Sequence, residues 1–160
     1  MALKKQKRDK VINIPRGVSY IDFHGPHSSS VFYFLSVFHP SKFYLDDEWW
    51  DSVAQWYYTR RCDEPGDWAY IKAATTPAEA KAISKGCKSI DDWDNNKWQL
   101  MYDGCYAKFD QNPELKSRLI STGDKELREM SPFSNYWGYS NRGQNQLGKI
   151  LMDIREKVTP

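Results

Sequence analysis

Residues 112–155, NPELKSRLISTGDKELREMSPFSNYWGYSNRGQNQLGKILMDIR, decide how this chain is read. Asn112-Pro113 opens a helix, with proline at the first helical position where its missing N–H costs nothing. Gly123 closes that helix, because glycine accepts the left-handed backbone that ends helices. At the far end Leu147, Ile150, Leu151, Ile154 and Val158 recur at helical spacing, a stripe that belongs to a core. Between the two helices runs a segment rich in acids, amides and aromatics. Loops of that composition on rigid flanks are where binding and catalytic groups collect.

The helical pattern continues toward the N-terminus. Trp98, Met101, Cys105 and Phe109 share one face of a long helix started by Asp91 or Asp92. Thr76-Pro77-Ala78-Glu79 is a capping box, and its helix stops at Gly86. Asp67 is expected to cap a short helix through Ala74, and Asp51 or Ser52 one that runs to about Arg61. Further upstream the pattern changes. Residues 18–23 alternate and residues 31–38 are β-branched and aromatic, so both predict strands. Phe43-Tyr44-Leu45, the turn at Asp46-Asp47, and Glu48-Trp49-Trp50 predict a short hairpin. The expected fold is a helix-rich α+β single domain over residues 11–160, with a small antiparallel sheet near the N-terminus and about six helices. Neither a strand-helix alternation with a Gly-rich turn nor a GxSxG elbow occurs, which sets aside Rossmann, P-loop and α/β-hydrolase readings.

Charge narrows the partners. The net charge is +2. Lys4, Lys5, Lys7, Arg8 and Lys10 crowd the first ten residues against Asp9, expected as a flexible basic tail, and beyond residue 10 the chain has 18 basic and 20 acidic side chains. Such a body is no general nucleic-acid binder, and a role for the tail on phosphate backbones is weakly supported. Cys62, Cys87 and Cys105 are widely spaced, with no zinc-ligand spacing, which fits reduced thiols in a cytoplasmic setting. His24 and His27 are spaced to face each other, but no acid cluster accompanies them, so no metal is expected. No apolar run approaches the roughly 20 residues that span a membrane.

Taken in order, the motifs resemble those of the NADAR (YbiA-like) family. They include Phe34-Leu35-Ser36, Pro40-Ser41-Lys42-Phe43, Ala74-Thr75-Thr76-Pro77-Ala78-Glu79-Ala80, Asp92-Trp93, Lys108-Phe109, Asn112-Pro113-Glu114-Leu115, Thr122-Gly123-Asp124, Leu127-Arg128-Glu129, Tyr136-Trp137-Gly138 and residues 143–149. The resemblance implies an N-glycosidase without metal or cofactor. Its substrates would be phosphorylated riboflavin-pathway intermediates or ADP-ribosylated guanine. It further implies a Trp in an N/D-W pair and an acid before the YWG segment, which fall on Trp93 and Glu129. The family's Ser-x-Glu-His-Tyr reads Ser52-Val53-Ala54-Gln55-Trp56, so Ala54 occupies the place of an expected glutamate. Val37 stands where Asn is usual, and Ser134 where an Asp commonly precedes YWG.

The chemistry that the resemblance implies needs particular groups. Breaking a base–ribose bond builds positive charge on the sugar and negative charge on the base. A carboxylate steadies the first and activates water, and an acid or hydrogen-bond donor helps the second. Glu129 is the candidate carboxylate. Trp93 and Trp137 are candidate walls for a flat base, with Gly138 allowing close backbone approach. Asn145 and Lys149, at i and i+4, are candidates for a phosphate or ribose at a helix start. Lys42, Arg60 and Asp124 are further candidates. Each residue also has a plain structural role open to it: core packing for the indoles, a cap for Asp124 and Asn145, a solvated charge at a helix end for Glu129, and an exposed charge for the lysines. Because Ala54 removes one acid, a protein that binds a nucleotide or ADP-ribose without cutting it is the alternative.

Overall fold

The computed structural model describes residue 14, residues 16–25 and residues 30–160. The basic tail and His27 lie outside the described residues. Six α-helices carry the described fold: α1 (Val53–Arg61), α2 (Pro65–Ala73), α3 (Pro77–Lys85), α4 (Trp93–Gln111), α5 (Pro113–Ser121) and α6 (Gln146–Val158). None of the described helices is long and apolar enough to cross a membrane.

Local chemistry sets the helix ends. The Ser52 hydroxyl accepts the Gln55 N–H at 3.0 Å, and the Thr76 hydroxyl accepts the Glu79 N–H at 3.1 Å. The Glu79 carboxylate reaches back to the Thr75 N–H at 2.7 Å, closing the capping box one residue early. Gly123, at φ +64°, ends α5 as its sequence predicts. Asp67 lies within the first turn of α2, which Pro65 opens behind Glu64, and so is not its cap. A carboxylate there still favours the helix dipole.

The antiparallel sheet of the expectation is the hairpin of β2 (Phe43–Leu45) and β3 (Glu48–Trp50), in register Phe43 with Trp50. Asp46 and Asp47 take positive φ in its turn. The other strand pair was not anticipated. β1 (Tyr20–Phe23) pairs in parallel with β4 (Glu126–Glu129), matching Phe23 to Glu129 across a hundred residues. Parallel pairing requires a long crossover, which here is most of the helical body.

Residues 31–38 are not a strand. They form a turn and a short 3₁₀ helix at Tyr33–Leu35. Lys108 supplies the reason. Its ammonium, buried on α4, donates to the carbonyls of Phe34 at 2.7 Å and Ser36 at 2.9 Å. Those acceptors are therefore taken by a side chain instead of a ladder. Phe34, Leu35, Phe43, Trp50, Val53, Ala54, Trp56, Phe109, Leu119, Leu127, Ile150, Leu151 and Ile154 are all at most 1% exposed and form one apolar interior. α4 runs along it, with Met101, Cys105 and Phe109 buried as predicted and Trp98 only partly so.

Candidate active site

Glu129 ends β4, and the backbone around it is clamped from both sides. On one side Met130 N–H donates to the Phe23 carbonyl at 2.9 Å. On the other, Asn145 acts as a short surrogate strand. Its amide donates to the Leu127 carbonyl at 2.9 Å and accepts the Glu129 N–H at 3.1 Å. Asn145 is 4% exposed and takes φ +52° immediately before α6, a left-handed position that asparagine tolerates. Its side chain is therefore turned to β4, adjacent to the acid.

The Glu129 side chain is 10% exposed. Oε1 accepts the Ser131 N–H at 2.9 Å and lies 3.7 Å from His24 Nδ1. Oε2 is enclosed and has no hydrogen-bond partner among the described residues. Gly138 packs directly over it. A methyl group on Gly138 would come within 2.8 Å of Oε2 and 2.7 Å of the Ser134 carbonyl, so no larger residue fits without a shift. Burial raises the carboxyl pKa above its usual range, opposed by the Ser131 N–H, His24 and Lys81. A carboxylate with one free, desolvated oxygen and a raised pKa suits proton transfer near neutrality.

An aromatic wall leads from this acid. The buried Tyr57 ring lies 5.0 Å from Trp93 and 5.8 Å from Trp137 between centroids, and Trp137 packs edge-on to Tyr136 at 4.7 Å. The Lys97 ammonium sits 4.2 Å over Tyr136. Trp93 is half-buried, and its indole N–H has no protein partner among the described residues. Trp50, Trp56, Trp68 and Trp98 all spend theirs on protein oxygens. A chain of contacts thus runs from Trp93 through Tyr57 and Trp137 to Gly138 and the Glu129 carboxylate. The acid comes from a strand end, not from the helix expected for it.

Ala54 is fully enclosed on the first turn of α1 and donates its N–H to the Val37 carbonyl at 3.0 Å. It shares a helix face with Tyr57 and Tyr58. Ser134, in the place of a usual Asp, accepts the Trp137 N–H at 3.0 Å, a turn-capping role open to any short oxygen side chain.

Other candidates sit elsewhere. Asp124 and Lys149 are exposed and line a surface cleft of about 800 Å³ with Arg155 and Glu156. Asp124 leads into a strand, so it caps no helix behind it, and its charge faces the Arg155 guanidinium. Lys42 lines a different cleft, of about 450 Å³, with His39, Asn112 and Arg118. None of the three touches the Glu129 carboxylate or the aromatic wall. Arg60 is enclosed by tryptophans, 4.7 Å from Trp56 and 5.5 Å from Trp50 and Trp68, and pairs with Asp46. That position serves packing. Sequence reasoning passed over Tyr57, Tyr58, Lys81 and Ser131. Tyr57 and Tyr58 were reachable, since they follow position 54 by three and four residues on one helix.

A family model described as the NADAR domain matches residues 23–159. The chain belongs to the NADAR family. An N-glycosidase from Nostoc punctiforme is 34% identical over 132 residues, covering 78% of this chain and 84% of that protein. A riboflavin biosynthesis protein from Vibrio vulnificus is 30% identical over 129 residues, 78% of this chain but 35% of that protein. The solved NMR structure of the Escherichia coli protein YbiA shares the NADAR fold. Its TM-score is 0.78 at 21% identity, over 94% of this chain and 90% of that one.

Proposed function

We propose that this chain hydrolyses the N-glycosidic bond of a phosphorylated, nucleotide-like substrate, with Glu129 as its acid–base group and Trp93 and Trp137 flanking the base. The observation that carries this reading is the Glu129 carboxylate. It is clamped by Asn145 through the backbone and by Ser131 through Oε1, and its second oxygen has no partner among the described residues and lies against Gly138, the residue after Trp137. A carboxylate so placed steadies positive charge on the ribose carbon and takes the proton of the attacking water. Rigid rings beside it hold a planar base at little entropic cost. The N-glycosidase of Nostoc punctiforme supports the reaction class, and the riboflavin biosynthesis relative supports ribosylamino-pyrimidine phosphates as the first substrates to try. ADP-ribosylated guanine is the second.

The enclosed Ala54 supports one other reading, a protein that holds such a ligand without turnover. Incubating the chain and its Ala54→Glu variant with both substrate classes, and following base release, separates the two. The glycosidase reading expects release by both chains, faster for the variant. Release from neither class by either chain would end that reading. Ligand-induced stabilisation without release would establish the binding one.

A further inference from the structure

On α1, residues 54, 58 and 61 form one row, at i, i+4 and i+7. The first is the enclosed Ala54. The last, Arg61, donates to the Ser84 carbonyl and, at 3.2 Å, to its hydroxyl. Tyr58 lies between them. Its ring packs edge-on to Tyr57 at 5.3 Å, against the main apolar interior and against a smaller buried cluster of Cys62, Ile71 and Ala80. Its hydroxyl, however, has no hydrogen-bond partner among the described residues and still reaches solvent. Tyrosines held this way ordinarily find a partner for the hydroxyl. The charged groups that act on it are Arg61 and Glu129. Burial, joined by Glu129, raises the phenol pKa against the opposing pull of Arg61 and keeps it protonated, hence a donor.

We propose that the Tyr58 hydroxyl is a further catalytic group of this site, donating a hydrogen bond to the leaving base. It supplies from position 58 a donor that Ala54 does not offer. In the reaction, the C1′–N bond breaks with its electron pair passing to the base nitrogen. Water oxygen bonds C1′, Glu129 takes one water proton, and the departing nitrogen gains a proton from solvent. Tyr58 keeps its own proton and stabilises charge on the base while the bond breaks. This inference rests on the glycosidase reading.

Tyr58→Phe tests it, because the ring that packs is kept and only the hydroxyl is lost. The expected result is a fall in kcat of about 10²-fold with KM within about twofold and an unchanged melting temperature, the size seen when one preorganised donor is removed. Adding Ala54→Glu to Tyr58→Phe should recover part of the rate. Undiminished kcat in Tyr58→Phe, or a loss confined to KM, overturns the inference while leaving Glu129 in place. A parent chain that releases no base ends both. Should Tyr58→Phe melt low, 3,5-difluorotyrosine at 58 keeps the shape and acidifies the hydroxyl. The alkaline limb of the rate profile should then move to lower pH, and an unmoved limb overturns the proposal.

Discussion

The end of β4, whose Glu129 acts on Tyr58 of α1, and the first turn of α1 are built differently. Around Glu129 the fold commits many groups to one carboxylate: an asparagine amide in a left-handed turn, a serine N–H, a glycine kept bare for close packing. At position 54 the helix keeps its Ser52 cap and its Val37 hydrogen bond, but the side chain is only a methyl group, sealed in the interior. Holding the backbone of a site and holding its chemical groups are thus separable tasks. α1 performs the first without the expected carboxylate, and β4 performs both.

Substitutions can break or sharpen that contrast. Among substitutions that leave the acid itself in place, the largest effect is expected from Gly138→Ala, whose methyl would collide with the Ser134 carbonyl and the Glu129 carboxylate. Displacing the acid by about 1 Å should lower base release by about 10²-fold, read by steady-state kinetics. Ala54→Glu should raise base release by about 10-fold or more, within the range one acid–base group supplies. It should also lower stability by about 1–3 kcal/mol, because the site is filled, read by urea unfolding. Loss of activity in Ala54→Glu would show that α1 no longer accepts the missing group. Asn145→Ala strips Leu127 and Glu129 of their clamp and should cost about 1–3 kcal/mol, measured the same way.

The smallest effects are in pH dependence. Burial raises the folded-state pKa of Glu129 above its unfolded value, so its stabilising share is full at acid pH and is lost as pH rises through the folded value. Glu129→Gln should therefore melt above the parent at pH 8 and match it near pH 4. Lys108 runs the other way. Burial pushes its ammonium down to about 7, so stability should climb as pH rises from about 7 toward the ordinary lysine range. Lys108→Met should flatten that climb in melting curves.

How far the sequence alone reaches follows from the range of each interaction. Caps and stripes act within a few residues, so Ser52, Thr76, Gly123 and the face from Leu147 to Ile154 were readable. Residues 31–38 misled because their strand-like composition yields to a lysine more than seventy residues away. The parallel pairing of Tyr20–Phe23 with Glu126–Glu129 has no local signature, and it is what turns a supposed helix-end acid into a buried strand end. Among the candidate site residues, Glu129, Trp93, Trp137 and Gly138 come together. Lys42, Asp124 and Lys149 do not, because sequence marks a charge but not the surface it faces.

The most direct test is the rate of base release by Glu129→Gln beside the parent, on a ribosylamino-pyrimidine phosphate at neutral pH. Gln keeps the volume and the Ser131 contact but cannot take a proton, so the rate should fall by about 10²–10⁴-fold with the fold intact. A variant that releases base within a fewfold of the parent would contradict the assignment of Glu129 as the working acid.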